Sequence, residues 1–168
     1  MTDGLAHHSR HSVLREIILE RRFITDPLAY FWNRNTFDVE VLRSEFDAGG
    51  YDLIVSFKDI THHVQLKSTR MAGKTTHVSV GTKLAERPPG CVVCFEIDDT
   101  LGVNGYLWFG AKPRLPVPPM DEFAVTRHTK ANVKGIKAER PAHRRVSLRR
   151  FTPIGRIDDL VAALLGPV

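Results

Sequence analysis

The stretch from Asp47 to Thr69 constrains this chain more than any other, because its apolar residues alternate with polar ones in two successive runs. Strand side chains turn to opposite faces at each step, so residues two apart look the same way. From Tyr51 to Phe57 this puts Leu53, Val55 and Phe57 on one face, with Asp52, Ile54 and Ser56 on the other. From Thr61 to Lys67 it pairs Val64 with Leu66 on one face, and His63, Gln65 and Lys67 on the other. Lys58-Asp59 offers a turn between the runs, so a hairpin is expected that brings Asp52 towards Gln65 and Lys67. A carboxylate beside an amine on a rigid sheet suits the joint binding of a divalent cation and a phosphate.

At 168 residues the chain is expected to fold as one domain over 9–168, behind a disordered start at 1–8. Apolar and charged contents are those of an ordinary globular protein. No apolar run approaches the ~20 residues needed to span a bilayer, and the N-terminus lacks a signal-peptide core, so a cytoplasmic location without membrane contact is expected. Two cysteines fit a reducing compartment and exclude a disulfide scaffold. Charge is uneven. Between Arg127 and Arg150 nine Lys or Arg face one acid, Glu139, a local +8 that leaves the remainder at −3 within the overall +5. A near-neutral body with one basic segment (127–150) suits a nucleic-acid partner; the plainer alternative is a solvated loop.

Along the chain, Val13, Leu14, Ile17 and Ile18 form an apolar stripe at helical spacing, which predicts a helix from Ser9 or Ser12 to Phe23. Asp26-Pro27 reads as a cap and first-turn proline opening a second, short helix with Leu28, Tyr30, Phe31 and Trp32. Phe37, Val39 and Val41 alternate as a first strand, and Gly49-Gly50 turns into the second. Residues 70–74 read as a loop, 77–80 as strand or helix, and 81–87 as a short helix. Cys91–Ile97 is nearly unbroken apolar sequence, as expected of a central strand covered on both faces. Tyr106–Phe109 is a further strand, the proline-rich 113–119 is extended, and a helix closes the chain at 155–165 with Ile157, Leu160, Val161 and Leu164 facing the core. The sum is a mixed α/β sheet domain.

A helix bearing glutamates, then Asp52, then Gln65-Leu66-Lys67 after twelve further residues resembles the PD-(D/E)XK nuclease superfamily, in particular the Mrr-type restriction endonucleases in which glutamine replaces the last acid. The likeness covers roughly residues 10–110. It implies a restriction-endonuclease-like αβββαβ core, a mixed central sheet flanked by helices, and DNA phosphodiester hydrolysis with Mg2+ or Mn2+ in phage defence or DNA repair. Carried across, Asp52 would ligate the metal, Gln65 would contact it through a neutral oxygen, and the Leu66 carbonyl would add a ligand. Lys67 would orient the attacking water or neutralise the phosphate. Glu16 resembles the family's early glutamate; Glu20, one turn later, is the alternative.

Cys91 and Cys94 have CxxC spacing, but residues three apart on a strand diverge and no further ligand pair completes a zinc site, so both are read as core. His62 and His63 are adjacent on a strand and cannot share a metal; His63 is read as packing at the sheet. Asp47 caps the glycine turn or perturbs Asp52, and neither a calcium loop nor a phosphate loop is complete there. Arg127, Lys130, Lys134, Lys137, Arg140, Arg144 and Arg145 are placed to track a phosphate backbone, and the absence of interleaved aromatics favours duplex DNA, with RNA not excluded. Two other functions stay open: a nuclease-derived module that binds without cutting, and a protein-interaction domain with a basic arm. A homodimer would suit cutting both strands; the final helix could support one, or be core.

Overall fold

The computed structural model describes residues 4–46, 49–87 and 89–167. It is a mixed α/β fold in two sheets and three helices. The central six-stranded sheet runs β1 (Val39–Arg43), β2 (Leu53–Phe57), β3 (Ile60–Arg70), β5 (Gly90–Ile97), β6 (Val103–Gly110) and β9 (Thr152–Ile154). Its strands are antiparallel except for the β3–β5 pair, which makes it mixed. A three-stranded sheet runs β4 (His77–Gly81), β8 (Glu139–Ser147) and β7 (Val125–Arg127). The helices are α1 (Gly4–Arg10), α2 (Ser12–Trp32) and α3 (Ile157–Leu165). No helix among the described residues is long and apolar enough to cross a membrane.

The expected hairpin is present: Phe57 pairs with Ile60 across the Lys58-Asp59 turn, where Lys58 takes a positive φ of 54°. Alternation along β2 works as anticipated, with Leu53, Val55 and Phe57 buried and Ile54 and Ser56 partly exposed. On one face of the central sheet, Leu53, Val55, Val64, Val93 and Phe95 pack against Leu19, Phe23 and Phe31 of α2 and Leu160, Val161 and Leu164 of α3. On the other, Val92, Cys94, Leu107 and Phe109 pack against Val78, Val80 and Val146 of the small sheet. Strand β5 therefore feeds both cores with successive residues, which explains its unbroken apolar sequence.

Several elements depart from expectation. The chain is helical from Gly4, where an unstructured start was expected, and His8 Nε2 lies 3.1 Å from the Asp99 carbonyl. Asp26-Pro27 opens no second helix: α2 runs through Pro27 to Trp32. An interior proline removes one helical hydrogen bond, but Phe23, Pro27 and Phe31 continue the buried i, i+4 line begun at Leu19, and that burial carries the helix onward. Asp26 does not cap; its carboxylate accepts from the Tyr106 hydroxyl at 3.4 Å. The apolar stripe that predicted the helix, Val13, Leu14, Ile17 and Ile18, is exposed rather than packed on the sheet. Between β3 and β5 the chain forms β4 and a short 3₁₀ turn (Thr82–Glu86) rather than the α-helix that an αβββαβ order implies. The basic segment is no solvated loop throughout, since much of it is β8 and the 3₁₀ turn Leu148–Arg150.

Candidate functional site

Strand β2 begins at Leu53, opposite Val64, while β3 continues past that point to Arg70. The Asp52 N–H still reaches the Val64 carbonyl at 2.9 Å, so Asp52 stands across from Gln65. Beyond that point β3 loses its β2 neighbour, and the Asp52 side chain takes over: Oδ2 accepts the Leu66 N–H at 2.6 Å. A carboxylate in place of a ladder carbonyl is held firmly, because a hydrogen bond to a charged acceptor is roughly twice as strong as a neutral one.

Helix α2 passes over this open edge and encloses a cleft of about 370 Å³. Its lining brings together Glu16, Glu20 and Arg15 from α2, Asp52 at the head of β2, and Leu66, Lys67 and Ser68 from β3, with Leu19 and Phe95 as the apolar wall. Four of the residues singled out from sequence, Glu16, Asp52, Leu66 and Lys67, thus border one cavity, as does the alternative Glu20. The two glutamates differ. Glu16 is exposed and lies 3.9 Å from Arg15. The Glu20 side chain is only 16% exposed and its Oε1 is ion-paired with Arg43 Nε at 2.5 Å.

Gln65 stands apart from this group. It is buried, and its Oε1 accepts the Gly81 N–H at 3.3 Å, on the side of the small sheet. There Gly81 approaches Gly50 so closely that a Cβ on Gly81 would lie 3.4 Å from the Gly50 Cα, and Gly50 itself takes a positive φ of 72°. Gln65 therefore ties β3 to the end of β4, where the 3₁₀ turn begins. Asp47 lies outside the described residues.

The seven basic residues proposed for a phosphate backbone sit on the other layer. Arg127 ends β7, Lys130, Lys134 and Lys137 lie on the exposed connection to β8, and Arg140, Arg144 and Arg145 are on β8. Some of this charge is engaged locally: Arg127 with Glu139 at 3.4 Å, Arg140 with the His143 ring at 3.1 Å, and Arg145 with His77 at 3.3 Å.

Cys91 and Cys94 are both fully buried, one in each core. Burial pushes the Cys91 thiol well up and the Cys94 thiol to about 12, the latter with help from Glu96. His63 packs edge-on against Tyr51, with ring centroids 4.8 Å apart, and burial lowers its pKa. Among the described residues no three of His, Cys, Asp or Glu cluster tightly enough to hold a metal by themselves.

Sequence reasoning missed Arg15 as a cleft residue. Arg15 is four residues before Leu19, hence on the flank of the buried line, and that spacing was the available signal. Its Nη1 donates to the His8 carbonyl at 2.9 Å, while its buried Nε has no partner. No known protein family matches this chain, and comparison with curated proteins gives no match either.

Proposed function

We propose that the chain is a metal-dependent endonuclease that hydrolyses DNA phosphodiester bonds at the cleft beneath α2, with a fold of the restriction-endonuclease kind. One observation carries the reading: Asp52, Lys67 and the carboxylates of α2, distant in sequence, border the same cavity. The donor chemistry fits Mg2+ or Mn2+. Mg2+ takes hard oxygen ligands and is usually held by one or two carboxylates, with water and substrate phosphate completing its shell. Asp52 and a carboxylate of α2 would hold it, Glu16 from the exposed side of the cleft or Glu20 on release of its ion pair with Arg43, and the Leu66 carbonyl would be a further donor. When bound, the cation supplies Lewis acidity at the phosphate and lowers the pKa of a coordinated water.

The chain's own groups do the positioning. The Leu66 N–H fixes the Asp52 carboxylate against β3. The Lys67 ammonium and the Arg15 guanidinium set positive charge at the same cleft, where it would stabilise the extra charge on the phosphoryl oxygens as the bond to the attacking oxygen forms. The basic β7–β8 ribbon gives the sequence-independent part of DNA affinity, which weakens with salt. Phage defence or DNA repair is the setting that suits such an activity.

A second reading rests on Gln65. With its oxygen used on Gly81, the motif brings one fewer ligand to the cleft, which suits a module that binds DNA without cutting it. Incubation of supercoiled plasmid with Mg2+ or Mn2+ separates the two. Under the first reading the native chain nicks or linearises plasmid and is inactive in EDTA. Asp52→Asn and Lys67→Ala then each lose on the order of 100-fold or more in rate while still shifting duplex DNA on a gel. A native chain that binds duplex but never cuts supports the second. No salt-dependent binding to DNA or RNA removes both and favours a protein partner for the basic segment.

A further inference from the structure

Helix α2 carries two apolar stripes. Leu19, Phe23, Pro27 and Phe31 face the sheet. At 100° per residue, Val13, Leu14, Ile17, Ile18, Leu28 and Trp32 lie together on an arc centred roughly 130° away, and that arc is exposed: Val13, Leu14 and Trp32 at 69%, 57% and 70%, and Ile17, Ile18 and Leu28 at 41%, 37% and 37%. Phe37, also exposed, extends it through a ring contact with Trp32 at 5.6 Å. An aliphatic side chain of this size carries roughly 100 Å² of apolar surface and an aromatic one about 200 Å², so these seven residues, 37–70% exposed, leave on the order of 500 Å² uncovered. The largest patch on an ordinary monomer is about 300–600 Å², and a standard interface takes about 800 Å² per partner. With a modest rim, this surface supplies one side of an interface.

We propose that the occupant is a second copy of this chain, packed antiparallel through α2 about a two-fold axis. The stripe is elongated and nearly uniform in its chemistry, which suits a self-complementary contact in which the same patch serves both subunits. Its only charge is Arg21, and that charge selects the register. A crossing at Arg21 itself would set two guanidinium groups against each other. A crossing midway between Arg21 and Thr25 instead sets each guanidinium against the opposing Thr25 hydroxyl, whose proton is already donated to the Arg21 carbonyl at 2.9 Å and whose oxygen can accept. The same register places Ile18 against Leu28, Ile17 against Ala29 and Leu14 against Trp32, with Val13 meeting Asn33 at the end of the helix. The final helix does not compete for this role, since Leu160, Val161, Leu164 and Leu165 are buried in the core. Because the cavity-lining residues Arg15, Glu16 and Glu20 stand on the same helix, pairing would fix the two clefts relative to each other.

The test is sedimentation equilibrium of the native chain from about 1 to 100 µM, together with Leu14→Glu/Ile18→Glu and Ile18→Cys/Leu28→Cys. Expected are a dimer of twice 18.9 kDa that dissociates on dilution, a Glu variant that stays monomeric with native circular dichroism, and an oxidised Cys variant that runs as a covalent dimer on non-reducing gels. Residues 18 and 28 are about 15 Å apart along one helix and cannot bridge within a chain. Both native cysteines are buried, so the background is low. A chain monomeric throughout that range, a Glu variant that dimerises as well as the native chain, or a native dimer whose Cys variant forms no cross-link would each overturn the proposal.

Discussion

Replacing His62 with leucine should stabilise the fold, by a margin that widens as the pH falls. His62 lies opposite Val55 in the β2–β3 hairpin, is 1% exposed, and sits against Trp108 with ring centroids 6.1 Å apart. Neither ring nitrogen has a hydrogen-bond partner. Burial, and secondarily the charge of neighbouring His63, pulls its pKa from 6.5 down to about 4. The unfolded chain therefore binds this proton more readily than the folded one. The associated stability is complete above pH 6.5 and is lost as the pH falls from there through 4. A unit of pKa shift corresponds to 1.36 kcal/mol, so the full loss is about 3 kcal/mol, most of it complete by pH 4.5. Against a typical stability of 5–15 kcal/mol that is a large fraction. Urea unfolding followed by tryptophan fluorescence, on native and His62→Leu protein between pH 7.5 and 4.5, isolates the effect because all other titrating groups are shared. The advantage of the variant should grow by about 2–3 kcal/mol over that range. Parallel pH profiles for the two proteins, or a variant less stable than native at every pH, would show that the imidazole is satisfied and the reasoning wrong.

Two further outcomes probe the site and the core. Gln65→Leu removes the acceptor of a buried Gly81 N–H and should lower stability by about 1–3 kcal/mol in urea unfolding, with plasmid cutting at saturating Mg2+ reduced far less than in Asp52→Asn. A Gln65→Leu chain as inactive as Asp52→Asn would instead make the glutamine part of the chemistry. Cys94, its thiol raised to about 12 and its side chain buried, should resist a disulfide reagent at pH 8 and react at once in denaturant, as should Cys91; rapid labelling of the folded chain would refute this.

What the sequence made legible follows from how each element is buried. Strand β2 is covered on one face and so shows alternation; β5 is covered on both and so shows none, and both were readable on that ground. Strand β8 was not readable, because only Val146 along it is buried and Pro141 argues against a strand. The proline is tolerated where the register between β7 and β8 breaks: Val125 pairs with Arg144 and Thr126 with Arg140, so Pro141 has no partner on β7. The cleft was legible in Asp52, Lys67 and the two glutamates, since hairpin pairing is a local consequence of a short turn. The fate of Gln65 was not, because its partner Gly81 is sixteen residues away and reaches it through a second sheet. Helix α2 shows the limit of periodicity itself. A helix apolar over most of its circumference declares that it will be covered, without saying which side the sheet takes. The sheet takes the stripe with Phe23 and Phe31. The remaining stripe keeps a composition suited to burial while standing in solvent, and the antiparallel pairing proposed above would cover it with the same stripe of a second chain.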